Sequence, residues 1–180
     1  MKIGIANDHR GVNRKNDIMK YLNRKKYEVI DFGTNTSESV DYPIYAFELA
    51  KKVSHKEIDF GILLCGTGVG MCIAANKVDG IRCAKVDNIN DAKLTRLHND
   101  ANMLALSSEI SLIRTKDILD VFLKTKFSEE ERHIRRISMI NSYIKESALE
   151  ENDYSMNKEQ IQVENNIEES STIAVKENDN

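Results

Sequence analysis

The chain is 180 residues long, 41% hydrophobic and 31% charged, with no Trp and a formal net charge of −3, a balance that suits one globular core. No apolar run reaches the roughly 20 residues a membrane-spanning helix needs, and three unpaired-looking cysteines suggest neither a disulfide framework nor a zinc site but a reducing cytosol. The charge is split: residues 150–180 hold nine Asp/Glu against two Lys, a net −7, which leaves residues 1–149 at +4, enough for a small anionic ligand and too weak for nucleic acid.

In chain order, residues 2–6 read as a first strand rather than a signal peptide, because the apolar run is short and polar residues follow at once. Asn7-Asp8-His9-Arg10-Gly11 comes next. Val12, Ile18, Met19 and Leu22 then recur at helical spacing over 12–25. Tyr27 to Phe32 is a second strand, and Gly33-Thr34 turns the chain. Asp41-Tyr42-Pro43 opens a helix with proline in its first turn, running to about Val53. Gly61 to Leu64 shows no polar alternation and reads as a strand buried on both faces. Ile81 to Val86 is a fourth strand, 89–98 a helix, Asn102 to Leu106 a fifth strand, and 110–125 and 129–148 two last helices. Strands alternating with helices at this spacing imply βαβ units. The expected fold is α/β: a Rossmann-like three-layer sandwich with a five-stranded parallel sheet flanked by helices, plus a C-terminal helix. It occupies 1–149. From Glu150 the pattern dissolves into Asn, Glu and Ser, which reads as a disordered acidic tail over 150–180.

The most informative stretch follows the third strand. Cys65 ends the strand, Gly66, Gly68 and Gly70 alternate with Thr67 and Val69, and an Ala-rich helix begins. Free amides and a helix dipole at that point favour an anion. The pattern is not a dinucleotide fingerprint, because its third glycine would fall on Met71, and no Gly-Lys-Ser/Thr marks a phosphate loop. Taken alone, it also fits a tight strand-to-helix turn around an inert cysteine. The unusual residues nevertheless cluster after strand ends: Asp8-His9, Cys65 to Gly70, and Asp87-Asn88. Ligands of parallel sheets bind there. His98 lies in His-Asn-Asp and His133 in Arg-His-Ile-Arg-Arg, while His55 sits in a polar stretch and reads as surface. Arg132 and Arg136 are four apart on one helix face and could grip one phosphate, although Glu129-Glu130-Glu131 beside them also fits plain local pairing.

With these pieces in hand, the sequence closely resembles the ribose-5-phosphate isomerase B family, which includes the galactose-6-phosphate isomerase subunits. The matching segments are Asp8-His-Arg-Gly11, Glu28-Val-Ile-Asp-Phe-Gly-Thr34, Ser39-Val-Asp-Tyr-Pro43, Ile62-Leu-Leu-Cys-Gly-Thr-Gly-Val-Gly70, Ala74-Ala-Asn-Lys77, Gly80-Ile-Arg82, His98-Asn-Asp-Ala-Asn102 and Arg132-His-Ile-Arg-Arg136. They run in order through about residue 145.

The resemblance implies an aldose–ketose isomerase acting through an enediolate without metal or cofactor, in the pentose phosphate pathway. It implies that Cys65 moves the proton between C1 and C2, and that Thr67 with the amides of Gly66 to Gly70 holds the enediolate oxygens. His98 would open the furanose ring and Asn99 would bind a hydroxyl. Asp8 would hold hydroxyls, His9, Arg132 and Arg136 the phosphate, and Tyr42 would line the pocket. It further implies a homodimer, or a tetramer of such dimers, with the site at the subunit interface, in the cytoplasm, with no membrane partner.

Two segments depart from the family pattern: Ser107-Ser108-Glu109, where many relatives carry Gly-x-Arg, and Val86-Asp87-Asn88. They bear on which sugar is used. Besides ribose 5-phosphate, the sequence leaves open a six-carbon sugar phosphate, such as allose or galactose 6-phosphate. It also leaves open a sugar-phosphate-binding subunit without turnover.

Overall fold

A computed structural model describes residues 1–143. Met1–Ile137 forms one compact unit, and Ser138–Asn180 is grouped as a second. The expected acidic tail and the end of the last expected helix lie outside the described residues.

Five strands, β1 (Lys2–Asn7), β2 (Glu28–Asp31), β3 (Phe60–Cys65), β4 (Cys83–Lys85) and β5 (Met103–Ser107), form one sheet in the order β2-β1-β3-β5-β4. All neighbours are parallel. The connecting helices are α1 (Val12–Arg24), α2 (Tyr42–Ser54), α3 (Val69–Ala75), α4 (Ile89–Asn99) and α5 (Leu112–Lys124). A sixth, α6, occupies 131–143 of the described residues.

The strands are apolar on both faces because both faces are covered. Successive side chains point to opposite sides of a strand. Along β3, Ile62 and Leu64 therefore pack with Ile18 and Leu22 of α1 and Ile118, Leu119 and Phe122 of α5. Leu63 and Cys65 pack with Ala46, Leu49 and Ala50 of α2 and Met71 and Ala75 of α3. Each such fully buried aliphatic contributes about 1.5–3 kcal/mol by leaving water. Two layers of helix thus sandwich the sheet, and the thiol of Cys65 belongs to the α2/α3 side.

Boundaries follow local chemistry. The α5 helix starts at Leu112 rather than 110 because Ser111 caps it, its hydroxyl accepting from the Arg114 amide at 3.3 Å. The α4 helix is capped by Asn88, whose side chain accepts from the Asp91 amide at 2.9 Å. The fourth strand shrinks from the expected 81–86 to three residues. The Asn76 side chain takes both backbone groups of Cys83, accepting from its N–H at 2.8 Å and donating to its C=O at 2.8 Å. Those groups are therefore not available to a further strand.

After β1 the chain steps outward to β2, then returns to place β3 on the other side of β1. That reversal opens a crevice at the carboxyl ends of β1 and β3.

Candidate active site

The crevice is built around the loop that follows Cys65. Gly68 takes φ +81°, a left-handed conformation that L side chains rarely adopt, and a Cβ there would sit 2.9 Å from the Leu106 carbonyl carbon. Only glycine lets the loop turn this sharply against β5. The turn aims the Gly68 amide at Cys65 Sγ, to which it donates at 3.0 Å. The Val69 amide donates to Thr67 Oγ1 at 3.3 Å. Ser107 Oγ, at the end of β5, donates to the Gly66 carbonyl at 2.6 Å and ties the loop to the sheet.

From β1, Asp8 reaches the same crevice. Its amide donates to the Leu64 carbonyl at 3.1 Å. Its carboxylate accepts from the Arg10 amide at 2.9 Å and is buried. From the first turn of α2, the Tyr42 ring lies on Gly70, where even a Cβ would meet it at 2.6 Å. Asp8, Tyr42, Cys65, Gly66, Thr67 and Gly70 thus line one cleft of about 1080 Å³. Cys65 is only 5% exposed, so the cleft reaches little of that residue.

Five other residues also line the cleft: Arg10, Ser107 and Glu109, which stand in the sequence motifs without a site role there, and Lys85 and Arg114, which the sequence does not single out. The signal for Arg10, Lys85, Ser107 and Glu109 was position, since each lies at or just past the end of β1, β4 or β5, whereas Arg114 comes from the first turn of α5. Arg10 and Glu109 form an ion pair at 2.8 Å across the mouth, and Lys85 pairs with Asp87. Glu109 therefore neutralises a cation of the cleft. His9 does not line the cleft. Its Nδ1 accepts from the Val40 amide at 3.3 Å, which leaves the proton of a neutral ring on Nε2.

The remaining expected site residues lie elsewhere in the chain. His98 and Asn99 end α4, just before β5 begins. The Asn102 carbonyl accepts from the Gly61 amide, whereas Cys65 faces Ser107 in the register. Five residues of strand, about 16 Å, separate those two levels. The His98 ring lies against His133 of α6, with centroids 4.4 Å apart and the planes tilted by 41°. His133 is buried, and its Nδ1 is 2.8 Å from Ser128 Oγ. Burial holds the His133 pKa below the usual 6.5, helped by His98 and by the nearby Arg132 and Arg136 cations.

Two arginines fix the end of α4. Arg82 donates to the Asn99 and Asp100 carbonyls at 2.9 and 2.8 Å and pairs with the Asp100 carboxylate. Arg96 binds the same carboxylate at 2.7 Å. Arg132 and Arg136 are exposed, the first paired with Glu130 at 2.8 Å.

Two groups of residues therefore sit at opposite ends of one sheet. The first is a thiol with backbone donors and a carboxylate, suited to moving a proton beside a developing oxyanion. The second is an imidazole pair with two exposed guanidinium groups, suited to acid catalysis and anion binding.

Known proteins carry the same arrangement of chain. A family model described as Ribose/Galactose Isomerase matches residues 3–140. Ribose-5-phosphate isomerase B of Escherichia coli K12 is 44% identical over 142 residues, which cover 78% of this chain and 95% of the relative. The solved structure of ribose-5-phosphate isomerase B from Clostridium thermocellum is 47% identical, with a TM-score of 0.79 over 82% of this chain and 99% of its own. The Mycoplasma genitalium ribose-5-phosphate isomerase B, solved with bound ribulose 5-phosphate, is 44% identical with a TM-score of 0.77, over 81% and 97%.

Proposed function

The chain belongs to the ribose/galactose isomerase family of sugar-phosphate isomerases, and on that premise we propose that it interconverts ribose 5-phosphate and ribulose 5-phosphate in the cytoplasm, as a step of the pentose phosphate pathway. The observation that carries this reading is Cys65 with the Gly68 amide on its sulfur, facing a cleft that also holds Asp8 and Thr67. The ligand in the Mycoplasma genitalium relative supports the choice of sugar.

In the proposed reaction the open aldose lies in the cleft with C1 and C2 against Cys65. The thiolate takes the proton from C2, and the electron pair of that bond forms the C1–C2 double bond of an enediolate. Thr67 and the loop amides hold its oxygens, where the negative charge is largest. The thiol then returns the proton to C1, while the hydroxyl proton shifts from O2 to O1. Asp8 holds sugar hydroxyls and Tyr42 closes one wall. No cofactor enters the step.

His98, Asn99, Arg132 and Arg136 serve a Cys65 cleft only if a second copy brings them, because within one chain they lie about a strand's length away. We therefore take the active form to be a homodimer with the site at its interface. There His98 of one copy opens the furanose ring, Asn99 binds a hydroxyl, and Arg132 and Arg136 take the phosphate beside His9. Exposed apolar residues on α2 and α3, Ile44 at 63%, Val69 at 47% and Ile73 at 59%, support such a contact, since apolar surface beside a polar cleft gains by being covered.

The test is turnover by the purified full chain against ribose 5-phosphate, allose 6-phosphate and galactose 6-phosphate. The pentose phosphate is expected to be the best substrate by kcat/KM. A hexose phosphate turned over tenfold better would replace the substrate, and no turnover of any would leave a binding subunit.

A further inference from the structure

Two cysteines take no part in the reaction above, and they sit side by side. Cys72 lies on α3, one turn beyond the loop that holds Cys65, and Cys83 opens β4. Cys72 Sγ is 3.3 Å from the Cys83 carbonyl. The Asn76 amide locks the pair together: its nitrogen lies 3.6 Å from Cys72 Sγ and donates at 2.8 Å to the same Cys83 carbonyl, while its oxygen accepts from the Cys83 amide at 2.8 Å. Both side chains join the α2/α3 face of the core. Cys72 is half-buried and reachable from solvent, whereas Cys83 is buried. One thiol can therefore meet a small reagent, and the other can meet only its neighbour.

From this geometry we propose that Cys72 and Cys83 form a peroxide-reactive dithiol, in which Cys72 is the attacked thiol and Cys83 the resolving one. The reagent is a small hydroperoxide, with hydrogen peroxide as the simplest case. The Cys72 thiolate attacks one peroxide oxygen, the O–O bond breaks, and hydroxide leaves as water after taking a proton. Cys72 is then a sulfenic acid. The Cys83 sulfur attacks the Cys72 sulfur, the S–O bond breaks, and the departing hydroxide takes the Cys83 proton as a second water. The dithiol has lost two electrons and the peroxide has gained them. A dithiol reductant reverses the step by exchange.

The electronic setting fits the roles. Donors converging on Cys72 (the Cys83 thiol first, then the Lys85 backbone and the Asn76 amide) outweigh burial and bring its pKa to about 7. The Cys72 anion together with burial pushes the Cys83 thiol up. An attacking thiol with a pKa near ambient pH is close to the best compromise between thiolate fraction and nucleophilicity. Oxidation would staple the middle of α3 to the start of β4, next to the catalytic loop and without touching it.

The experiment uses the full chain, reduced, freed of reductant, and exposed to hydrogen peroxide at a few equivalents near pH 7. Remaining thiols are then blocked, and the digest is read by tandem mass spectrometry. The expected result is a Cys72–Cys83 disulfide in most molecules, 2 Da lighter than the dithiol, and lost on treatment with dithiothreitol. In Cys83→Ser, Cys72 should stop at the sulfenic acid and be trapped by dimedone. In Cys72→Ser, Cys83 should be oxidised at least tenfold more slowly. Oxidation confined to Cys65, or a bridge between Cys65 and Cys83 in its place, would overturn the proposal. The wild-type result decides even if a variant folds poorly.

Discussion

Replacing Cys65 by Ala or Ser removes the group that carries the proton while leaving a pocket of similar shape. Proton transfer by a positioned side chain supplies about 10²–10⁴-fold, so kcat should fall by at least that much with an unchanged circular dichroism spectrum. The same substitutions at Cys72 and Cys83 should leave turnover within about twofold, since neither thiol lines the cleft. Gly68→Ala tests the loop rather than the sulfur. The new methyl meets the Leu106 backbone and the backbone keeps its positive φ, a strain of roughly 1–3 kcal/mol. A fall in thermal stability together with a large loss of kcat is expected, because the amide that donates to Cys65 Sγ belongs to this residue. Wild-type turnover in Gly68→Ala would mean that the loop geometry does not matter to catalysis.

Between helix and loop, the most consequential contact is made by a charged residue on an apolar face. Lys15 shares the face of α1 that carries Ile18 and Leu22, and like them it is fully buried. Its ammonium pairs with Asp31 at 2.8 Å and donates to the Thr34 carbonyl and Asn35 Oδ1, both at 2.9 Å. It thereby fixes the segment that leads from β2 toward Tyr42. Lys15→Met leaves those acceptors without a donor and should cost about 2–4 kcal/mol, measured by urea unfolding. A cost under about 0.5 kcal/mol would show that water replaces the ammonium freely.

The His98–His133 contact gives α6 a pH dependence. Because the folded His133 pKa lies below 6.5, the unfolded chain binds more protons in that region. Stability should therefore be full above about pH 7 and fall as pH drops through 6.5. His133→Asn should flatten the slope, and an unchanged slope would assign it to other groups.

At this scale the sheet was legible because buried parallel strands are uninterrupted apolar runs, as in Ile62-Leu-Leu64. The covering of the β4 edge was not legible, since the Asn76 side chain takes both backbone groups of Cys83 through space rather than along the chain. The same holds for Lys15, for the Arg82–Asp100–Arg96 clamp and for the Arg10–Glu109 pair. Apart from the i,i+4 contact of Arg96 with Asp100, each joins residues distant in sequence, and composition carries no trace of such meetings. His98 and Cys65 could each be picked out from their motifs, but only the order of the strands shows that one chain keeps them apart.

For the whole molecule, the two-copy site makes a prediction that neither residue nor element can. Cys65→Ala and His98→Asn each disable a different half of the proposed shared site. Mixed in equal amounts and allowed to exchange subunits, the two inactive variants should regain about a quarter of wild-type activity, as half the dimers are mixed and each holds one intact site of two. No recovery after verified exchange would mean that each chain works alone. Residues 150–180, with their net −7, should be dispensable. The field of their charges is screened within about 8 Å at physiological salt, so truncation before Glu150 should change KM less than twofold. A several-fold drop in KM at low salt would instead make that segment an inhibitor of its own site.

The account turns on Cys65 moving a proton between two carbons of a sugar phosphate, and isotope exchange in D₂O reads that step directly. Ribose 5-phosphate is incubated with the wild-type protein and with Cys65→Ala, and the products are followed by proton NMR. Wild type should give ribulose 5-phosphate carrying deuterium at C1, together with recovered ribose 5-phosphate labelled at C2. The variant should give neither above the uncatalysed background. Label appearing with Cys65→Ala at a rate within tenfold of wild type would contradict the account.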